Sequence, residues 1–437
     1  MLRSVRRLST TAVCAVVLLA SFQLTDEASG APGAEASATR HHHPGKSRGL
    51  ARPKLAGQGV SGGAQFSWGT VRGAVRYRVA WSAAPFGKWP AKRTYVSRWL
   101  PKKARTSTFA VPAVPQSGDH MLGLAYANPV FGQLDARNKK GRVRHSTGWV
   151  PVFPAAPDPG PGDALRLGTY NVMMATNRDA DRVQAIATNI ASHGLDVVAL
   201  QEATEAGAQA IQAALGPDWA YVPFRNAQVP PPEQVLYRTS VFKVPTSYGT
   251  FPVYNAKTPG TPLPTPWVRL ERVNASAGSR PVYVVSAHVT EDAAKDVMNR
   301  KREAGVEAQN MMAGVNAVNP GGEPVVIAGD LHYLREPYTD TPGYVEAPPT
   351  LVRGGYYDAM AAVTKVNIAY ATFNSGNGRT AQTQSPIQSG VAARADYIML
   401  RGFRGSNAYV NTPNWSLGGL VPSDHNLVYA DLTVPFR

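Results

Sequence analysis

At 437 residues, 43% of them hydrophobic, the chain has room for two or three domains with buried cores and is too apolar for general disorder. The formal net charge of +16 is uneven: 16 Lys and Arg stand against two acids, Asp119 and Asp135, between Pro53 and Pro154, whereas Ala155 to Arg437 carries 22 against 24. Cys14 is the single cysteine and lies in the leader, which excludes disulfides, a thiol nucleophile and thiolate metal ligands from the chain that follows.

The first residues, MLRSVRRLSTTAVCAVVLLASF, join three arginines to one apolar run. The run is too short and wrongly flanked for a membrane span and reads as a secretory signal. Small residues in ASGAPGAEASA put cleavage between about Ala28 and Ala38; residues 1–36 form the signal, and the expected destination is extracellular. A lipid-anchoring cysteine follows such a run, whereas Cys14 stands at its front. No other stretch is apolar enough for long enough to cross a bilayer. Residues 37–52, rich in Ala, Gly, Ser and His, read as a flexible linker, and the tract His41-His42-His43 suits a solvated linker better than a metal site.

Residues 53–153 carry short alternating runs, AQFSW, VRYRVAWS, TSTFAV and HMLGLAYA, separated by Gly, Pro and Ser clusters. That spacing predicts a small all-β sandwich. With Trp68, GAVRYRVAW and the TSTFAV…HMLGLAYA pair, the module resembles a fibronectin type III domain, a kind that binds or spaces rather than catalyses. Residues 154–163, within FPAAPDPGPGD, read as a stiff Pro-rich connector.

From residue 164 to 437 strands alternate with helices. LRLGTYNV is strand-like; in DRVQAIATNIASHG, Val183, Ile186 and Ile190 recur at helical spacing and Gly194 fits a C-cap. DVVALQ is a strand, and Ile211 and Leu215 mark a second helix. VYVVSAH is a strand, Glu291 to about Val318 a long helix, and PVVIAGD, ADYIML and NLVYADL are strands. The pattern predicts an α/β (α+β) domain of roughly 270 residues.

These strands end or begin in polar residues: Asn171 after LGTY, Glu202 after DVVALQ, His288 after VYVVSA, Asp330 after VVIAG, Asp396 before YIML, and Asp424-His425 before NLVYADL. One such residue is ordinary, because Asp, Asn and His stop strands and make turns. Taken singly, His288 is a hydrogen-bonded strand-end histidine and Asp396 a turn residue. Glu202 is harder to set aside, since a carboxylate after an apolar strand is costly to bury unless paired or metal-bound. Six in series point to convergence at one edge of a sheet core, where a rigid scaffold gathers distant side chains.

TYN, LQE, SAH, GD, ADYIML and SDH, in that order, resemble the endonuclease/exonuclease/phosphatase superfamily, of which deoxyribonuclease-I-like nucleases are members. The resemblance spans about 165 to 437. It implies a four-layer sandwich of two facing β-sheets flanked by helices, and Mg²⁺-dependent cleavage of phosphate esters, with Mn²⁺ or Ca²⁺ as alternatives. It implies Glu202 as principal metal ligand, Asn171 beside it at metal or phosphate, and Asp424 at the metal or a second one. Asp330 would hold or deprotonate the attacking water, His425 would serve as general acid or base fixed by Asp396, and His288 would donate to a phosphate oxygen. Glu233 is a further candidate for orienting a histidine.

The family writes Gly-Asp-x-Asn where this chain has Gly329-Asp330-Leu331-His332. His332 also offers an N–H, but it is bulkier than an amide. Calcineurin-like metallophosphatases share the Gly-Asp strand end but need an upstream Asp-x-His and a Gly-Asn-His-Asp/Glu, which the chain lacks in that order. A Walker loop, a serine elbow and His-Glu-x-x-His are absent too. Three functions follow: a secreted nuclease, acting as a monomer, whose basic module grips nucleic acid or another polyanion; a secreted phospholipid or sphingomyelin phosphodiesterase or phosphatase that meets an anionic membrane or cell-wall polymer; and a non-catalytic binder of anionic polymers.

Overall fold

The computed structural model describes residues 49–82, 94–110, 130–146, 150–173, 179–224, 231–290, 295, 297–332, 346–374, 385 and 392–437. The signal, most of the linker with its histidine tract, and the expected strand HMLGLAYA lie outside the described residues.

Among its described residues the N-terminal module forms two sheets. Ala56–Val60, Gly63–Ser67 and Thr106–Ala110 make one; Thr94–Val96, Arg76–Ser82, Val130–Arg137 and Val143–His145 make the other, with Leu100–Pro101 and Val150–Val152 paired at its margins. Side chains alternate across a strand: Tyr77 and Val79 are buried, while Arg76 is exposed and Arg78 half-buried. Trp81 stacks on Phe109 at 4.2 Å, and Phe66 lies so close to Gly132 that a Cβ there would sit 2.1 Å from the ring. The two sheets therefore face each other over an aromatic core. Leu50 is buried in that core and Ala51 donates to Arg72 O, so packing begins before the boundary that the sequence pattern sets at residue 53.

The larger domain is a four-layer α/β sandwich, as the strand and helix pattern predicts. Among the described residues one sheet runs in the order Trp219–Tyr221, Gln234–Arg238, Val197–Gln201, Gly162–Asn171, Val428–Pro435, Ser406–Asn411, Thr364–Val366. The other runs Ser247–Val253, Leu263–Leu270, Val282–His288, Val325–Asp330, Asp396–Arg401, Tyr357–Asp358. Leu165, Leu167, Val197 and Ala199 from the first sheet meet Val282, Val284, Val326 and Ile398 from the second in the central core. Helices Ala180–Ser192 and Glu205–Leu215 cover the outer face of the first sheet through Ile186, Ile190 and Ile211. Helix Val297–Val318 covers the second through Ala308, Met311 and Val315. It begins at Val297 among the described residues, where the sequence pattern starts it at Glu291.

Glu307, on that last helix, is fully buried and accepts from the backbone N of Thr290 at 2.9 Å and from the Thr290 hydroxyl. Burial pushes its carboxyl from 4.5 up to about 8. The native state therefore keeps a proton that the unfolded chain releases. The associated stability is full below the unfolded value and falls as pH rises through the folded one. Glu307→Gln removes this titration and keeps an acceptor. Its melting temperature should change less than the wild type's between pH 5 and pH 8, each unit of pKa shift being worth about 1.4 kcal/mol. Parallel pH curves for the two proteins would contradict this.

The Pro-rich connector is docked. Ala155 bridges Gly63, Ala156 donates to Ala361 O at 2.8 Å, and Pro157 packs so tightly on Gly405 that a Cβ there would meet its carbonyl at 1.9 Å. Gly162 pairs with Pro435 at the start of a ten-residue strand whose other end is Asn171. At ~3.3 Å per residue the module joins the domain about 30 Å from that far end.

Candidate active site

Pairing register builds the site. His288 pairs with Asp330, and Asp330 with Asp396, so three neighbouring strands place these residues in one row. Gly329 is required there: a Cβ would lie 1.8 Å from Ala287 O. In the facing sheet Asn171 pairs with Gln201, and Glu202 follows. Met173, Glu202 and His332, each just past a strand end, have φ of 54°, 53° and 50°. A left-handed turn costs of order 1–3 kcal/mol for a residue with a Cβ, and such turns concentrate where side chains must be aimed.

Hydrogen bonds then lock the side chains. Asn171 Nδ2 donates to Glu202 Oε1 and to Asp330 Oδ2, both at 3.1 Å, while its Oδ1 accepts from Met173 N at 3.0 Å. The amide thus presents N–H to the two carboxylates and holds them in position. His425 Nδ1 lies 2.9 Å from Asp396 Oδ2, which leaves Nε2 facing Asp330 Oδ2 at 3.5 Å. His288 Nε2 and His332 Nε2 approach the same Oδ2 to 3.8 and 3.6 Å. The remaining candidate, Asp424, is half-buried beside His425, with Ser423 Oγ 3.4 Å from its Oδ1.

Further residues support the site: Thr372 and Phe373 lie outside the sequence motifs, while Ser423, Thr169, Gln201 and Ser286 lie within them without a role read from the sequence. Thr372 Oγ1 accepts from Ala395 N and Asp396 N, and Phe373 packs edge-on against the His425 ring at 5.0 Å. Ser423 Oγ donates to Asn171 O at 2.6 Å and accepts from His425 N at 3.1 Å, tying two strands of one sheet together. Behind the site Thr169 donates to Gln201, and Gln201 to Ser286, both at 3.1 Å, a buried polar link between the sheets. Glu233, a candidate from the sequence, lies with Oε1 3.9 Å from His288 Nδ1.

Electrostatics separates the roles. Burial works to lower the His425 pKa, but Asp396 outweighs it and the imidazole is pushed up to about 10. Burial also raises the Asp396 carboxyl. The proton between them is therefore held well above neutrality, and His425 can donate to a phosphoryl oxygen or a leaving group. Burial opposes ionisation of Asp330, yet His332, His425 and His288 overcome it and hold the carboxyl below its usual range. Asp330 is thus a carboxylate able to orient water and accept its proton. Burial drives His288 down to about 4 and Glu233 up to about 8, so both are neutral near pH 7.

The oxygen donors fit a hard divalent cation. Burial and then the charge of Glu202 push the Asp424 carboxyl up, a repulsion that a cation between the two would relieve. Glu202 and Asp424 would hold it, with Asn171 keeping Glu202 in place. A bound divalent ion supplies positive charge to the phosphoryl oxygens as negative charge accumulates there.

A two-sheet sandwich with Glu202, Asp330 and Asp424, the Asn171 amide and the Asp396-held imidazolium of His425 at one edge has the architecture of a phosphoesterase-like fold. The profile of the Endonuclease/Exonuclease/phosphatase family matches residues 168–425. The chain belongs to that family, whose enzymes use divalent metals. A search of curated proteins finds no match. Among solved structures, an endonuclease/exonuclease/phosphatase family protein from Bacteroides thetaiotaomicron is 17% identical, with 63% of this chain and 100% of that one covered at a TM-score of 0.46. The mannosyl-6-phosphatase Bt3783 of the same organism is 17% identical over 61% and 98% of the chains, TM-score 0.44. Truncated Caenorhabditis elegans TDP2 is 16% identical over 62% and 98%, TM-score 0.40.

Proposed function

We propose that the protein is a secreted, Mg²⁺-dependent nuclease that hydrolyses phosphodiester bonds by attack of water activated at Asp330. The observation that carries this reading is a basic module docked on the catalytic domain. A groove of about 550 Å³ on the module is lined by Arg72, Lys102, Lys139 and Lys140, with Thr70 and Asn138. Elsewhere on the module Arg78 and Arg137 lie over the Trp99 ring at 4.7 and 5.5 Å. Cations beside an aromatic ring suit a phosphate backbone and its bases. The attachment point lies about 30 Å from the catalytic edge, counted along the ten-residue strand. A small ester cannot reach across that span, whereas a polymer can engage both ends.

The non-catalytic reading is disfavoured by the intact Asp396–His425–Asp330 arrangement. For the lipid reading, the tip of the hairpin between Ser247–Val253 and Leu263–Leu270 exposes Lys257, Thr258, Pro259, Gly260 and Thr261, which is not an apolar membrane probe. Plasmid DNA, RNA, sphingomyelin and a phosphomonoester, each assayed with Mg²⁺, Mn²⁺, Ca²⁺ or EDTA, discriminate the readings. Cleavage of nucleic acid that EDTA abolishes is expected. Faster turnover of sphingomyelin or the monoester would overturn the nuclease assignment.

Combined Lys102→Glu, Lys139→Glu and Lys140→Glu substitutions should weaken DNA binding in fluorescence anisotropy. They should also flatten the dependence of log Kd on log salt by about 1 for each phosphate no longer neutralised. An unchanged salt slope would place the polyanion elsewhere.

A further inference from the structure

His332 stands where the family pattern has asparagine, and its backbone explains how it can. At φ 50° it occupies the left-handed region, which Asn, Asp and His enter more readily than other residues with a Cβ. The turn past the strand end can therefore carry an imidazole at this position. That ring lies nearly parallel to His288, with centroids 5.1 Å apart and planes at 15°, and the two Nε2 atoms are 2.9 Å from each other. Both approach Asp330 Oδ2, at 3.8 Å from His288 and 3.6 Å from His332.

These three atoms form a triangle with edges of 2.9, 3.6 and 3.8 Å, a mean of 3.4 Å. A tetrahedral ion with bonds of about 2.0–2.1 Å to nitrogen and oxygen sets edges of about 3.3–3.4 Å. Outer contacts already orient the carboxylate donor: Asp330 Oδ1 accepts from His332 N at 3.0 Å and Asn171 Nδ2 donates to Oδ2 at 3.1 Å. Such partners hold ligating carboxylates in place around bound metals. Two imidazoles and one carboxylate match zinc and its first-row neighbours, whereas Mg²⁺ favours oxygen.

We propose that His288, Asp330 and His332 form a binding site for a divalent transition metal of the Zn²⁺ type, distinct from the oxygen donors of Glu202 and Asp424. This site deepens the phosphoesterase reading and rests on it, because it shares Asp330 with the hydrolytic machinery, while Glu202 and Asp424 lie outside the histidine pair.

The test uses the full chain with His41, His42 and His43 changed to alanine, so that the histidine tract cannot report. After removal of metal by a chelator, Zn²⁺ is titrated in competition with a coloured chelator, and Co²⁺ binding is followed by visible absorption. One ion with the intense bands of tetrahedral Co²⁺ is expected. His332→Asn, checked for folding by circular dichroism, should weaken Zn²⁺ by more than about 100-fold, exceeding the loss from a missing outer partner. Glu202→Gln should retain the tetrahedral spectrum. X-ray absorption at the zinc edge of the unsubstituted site should count two imidazoles, a readout independent of any variant's folding. Fewer than two imidazoles, an octahedral Co²⁺ spectrum, or binding abolished in Glu202→Gln but kept in His332→Asn would overturn the proposal. Mg²⁺-supported hydrolysis is measured separately, so failure of this site and failure of the phosphoesterase reading give different results.

Discussion

Replacing His425 with alanine is expected to slow phosphodiester hydrolysis by about 10³-fold, within the range that general acid–base groups supply. The side chain stands between Asp396 at 2.9 Å and Asp330 at 3.5 Å, and the neighbouring His288 is not held as a cation: burial keeps it down near 4. Asp396→Asn separates charge from shape. Asp396 outweighs burial to raise His425 to about 10, so the protonated form persists below that value and is lost as pH rises through it. Without the carboxylate, burial acts unopposed by Asp396, and the alkaline limb of the rate profile should move down toward the ordinary histidine value of about 6.5. Initial rates on bis(p-nitrophenyl) phosphate from pH 6 to pH 10 measure both effects. An alkaline limb that stays put in Asp396→Asn would show that His425 is not the acid.

The second large effect is expected at Glu202. Glu202→Gln preserves volume and an oxygen for Asn171 Nδ2, at 3.1 Å in the native protein, but removes the charge that would hold a divalent ion. Activity should fall by about 10²–10³-fold, the several kcal/mol that a metal contributes to phosphoryl charge stabilisation. EDTA should silence the wild type, and Mg²⁺ should restore it but not the variant. Thermal shift gives a readout apart from turnover, because an ion that binds only the native state raises its stability with concentration. The wild type should be stabilised by millimolar Mg²⁺, and Glu202→Gln much less. Equal shifts in both would place the ion away from Glu202.

The docked connector alters how the chain's two halves are understood. A Pro-rich stretch suggests a spacer, yet Ala155 and Ala156 are buried and Pro157 closes on Gly405. The basic module is therefore fixed to the edge of the catalytic domain remote from the site. If the proposed nuclease reading holds, such a fixed offset means that salt-dependent DNA binding and small-ester turnover would report on separate parts of the molecule.

Much of the site is legible in the sequence because its signals are local. An apolar strand that stops at Asp330, or starts after Asp424-His425, announces itself within a few residues, and the order of these strand ends carries the family resemblance. Thr372 and Phe373 are not legible, since they lie in an irregular segment where neither period nor composition marks them. Gln201 reads as the end of an apolar strand, although its amide reaches Ser286, 85 residues away. His332 is visible as an oddity, while its pairing with His288 does not follow from spacing, because only the ladder between Val282–His288 and Val325–Asp330 brings them together.

By itself the sequence marked the apolar strands that carry the site, which polar residues stand at their ends, and which chemical groups are available, because alternation and strand-stopping act over a few residues. Strands such as Ser247–Val253, Leu263–Leu270 and Ser406–Asn411 went unread. The tertiary structure decided the rest. Register places His288, Asp330 and Asp396 in one row, closure of the two sheets brings Asn171 to Asp330 across 159 residues, and left-handed turns aim Glu202 and His332. These follow from pairing and packing energies between distant segments. No local pattern encodes them, and they gather a set of strand ends from distant parts of the chain at one edge of the sandwich.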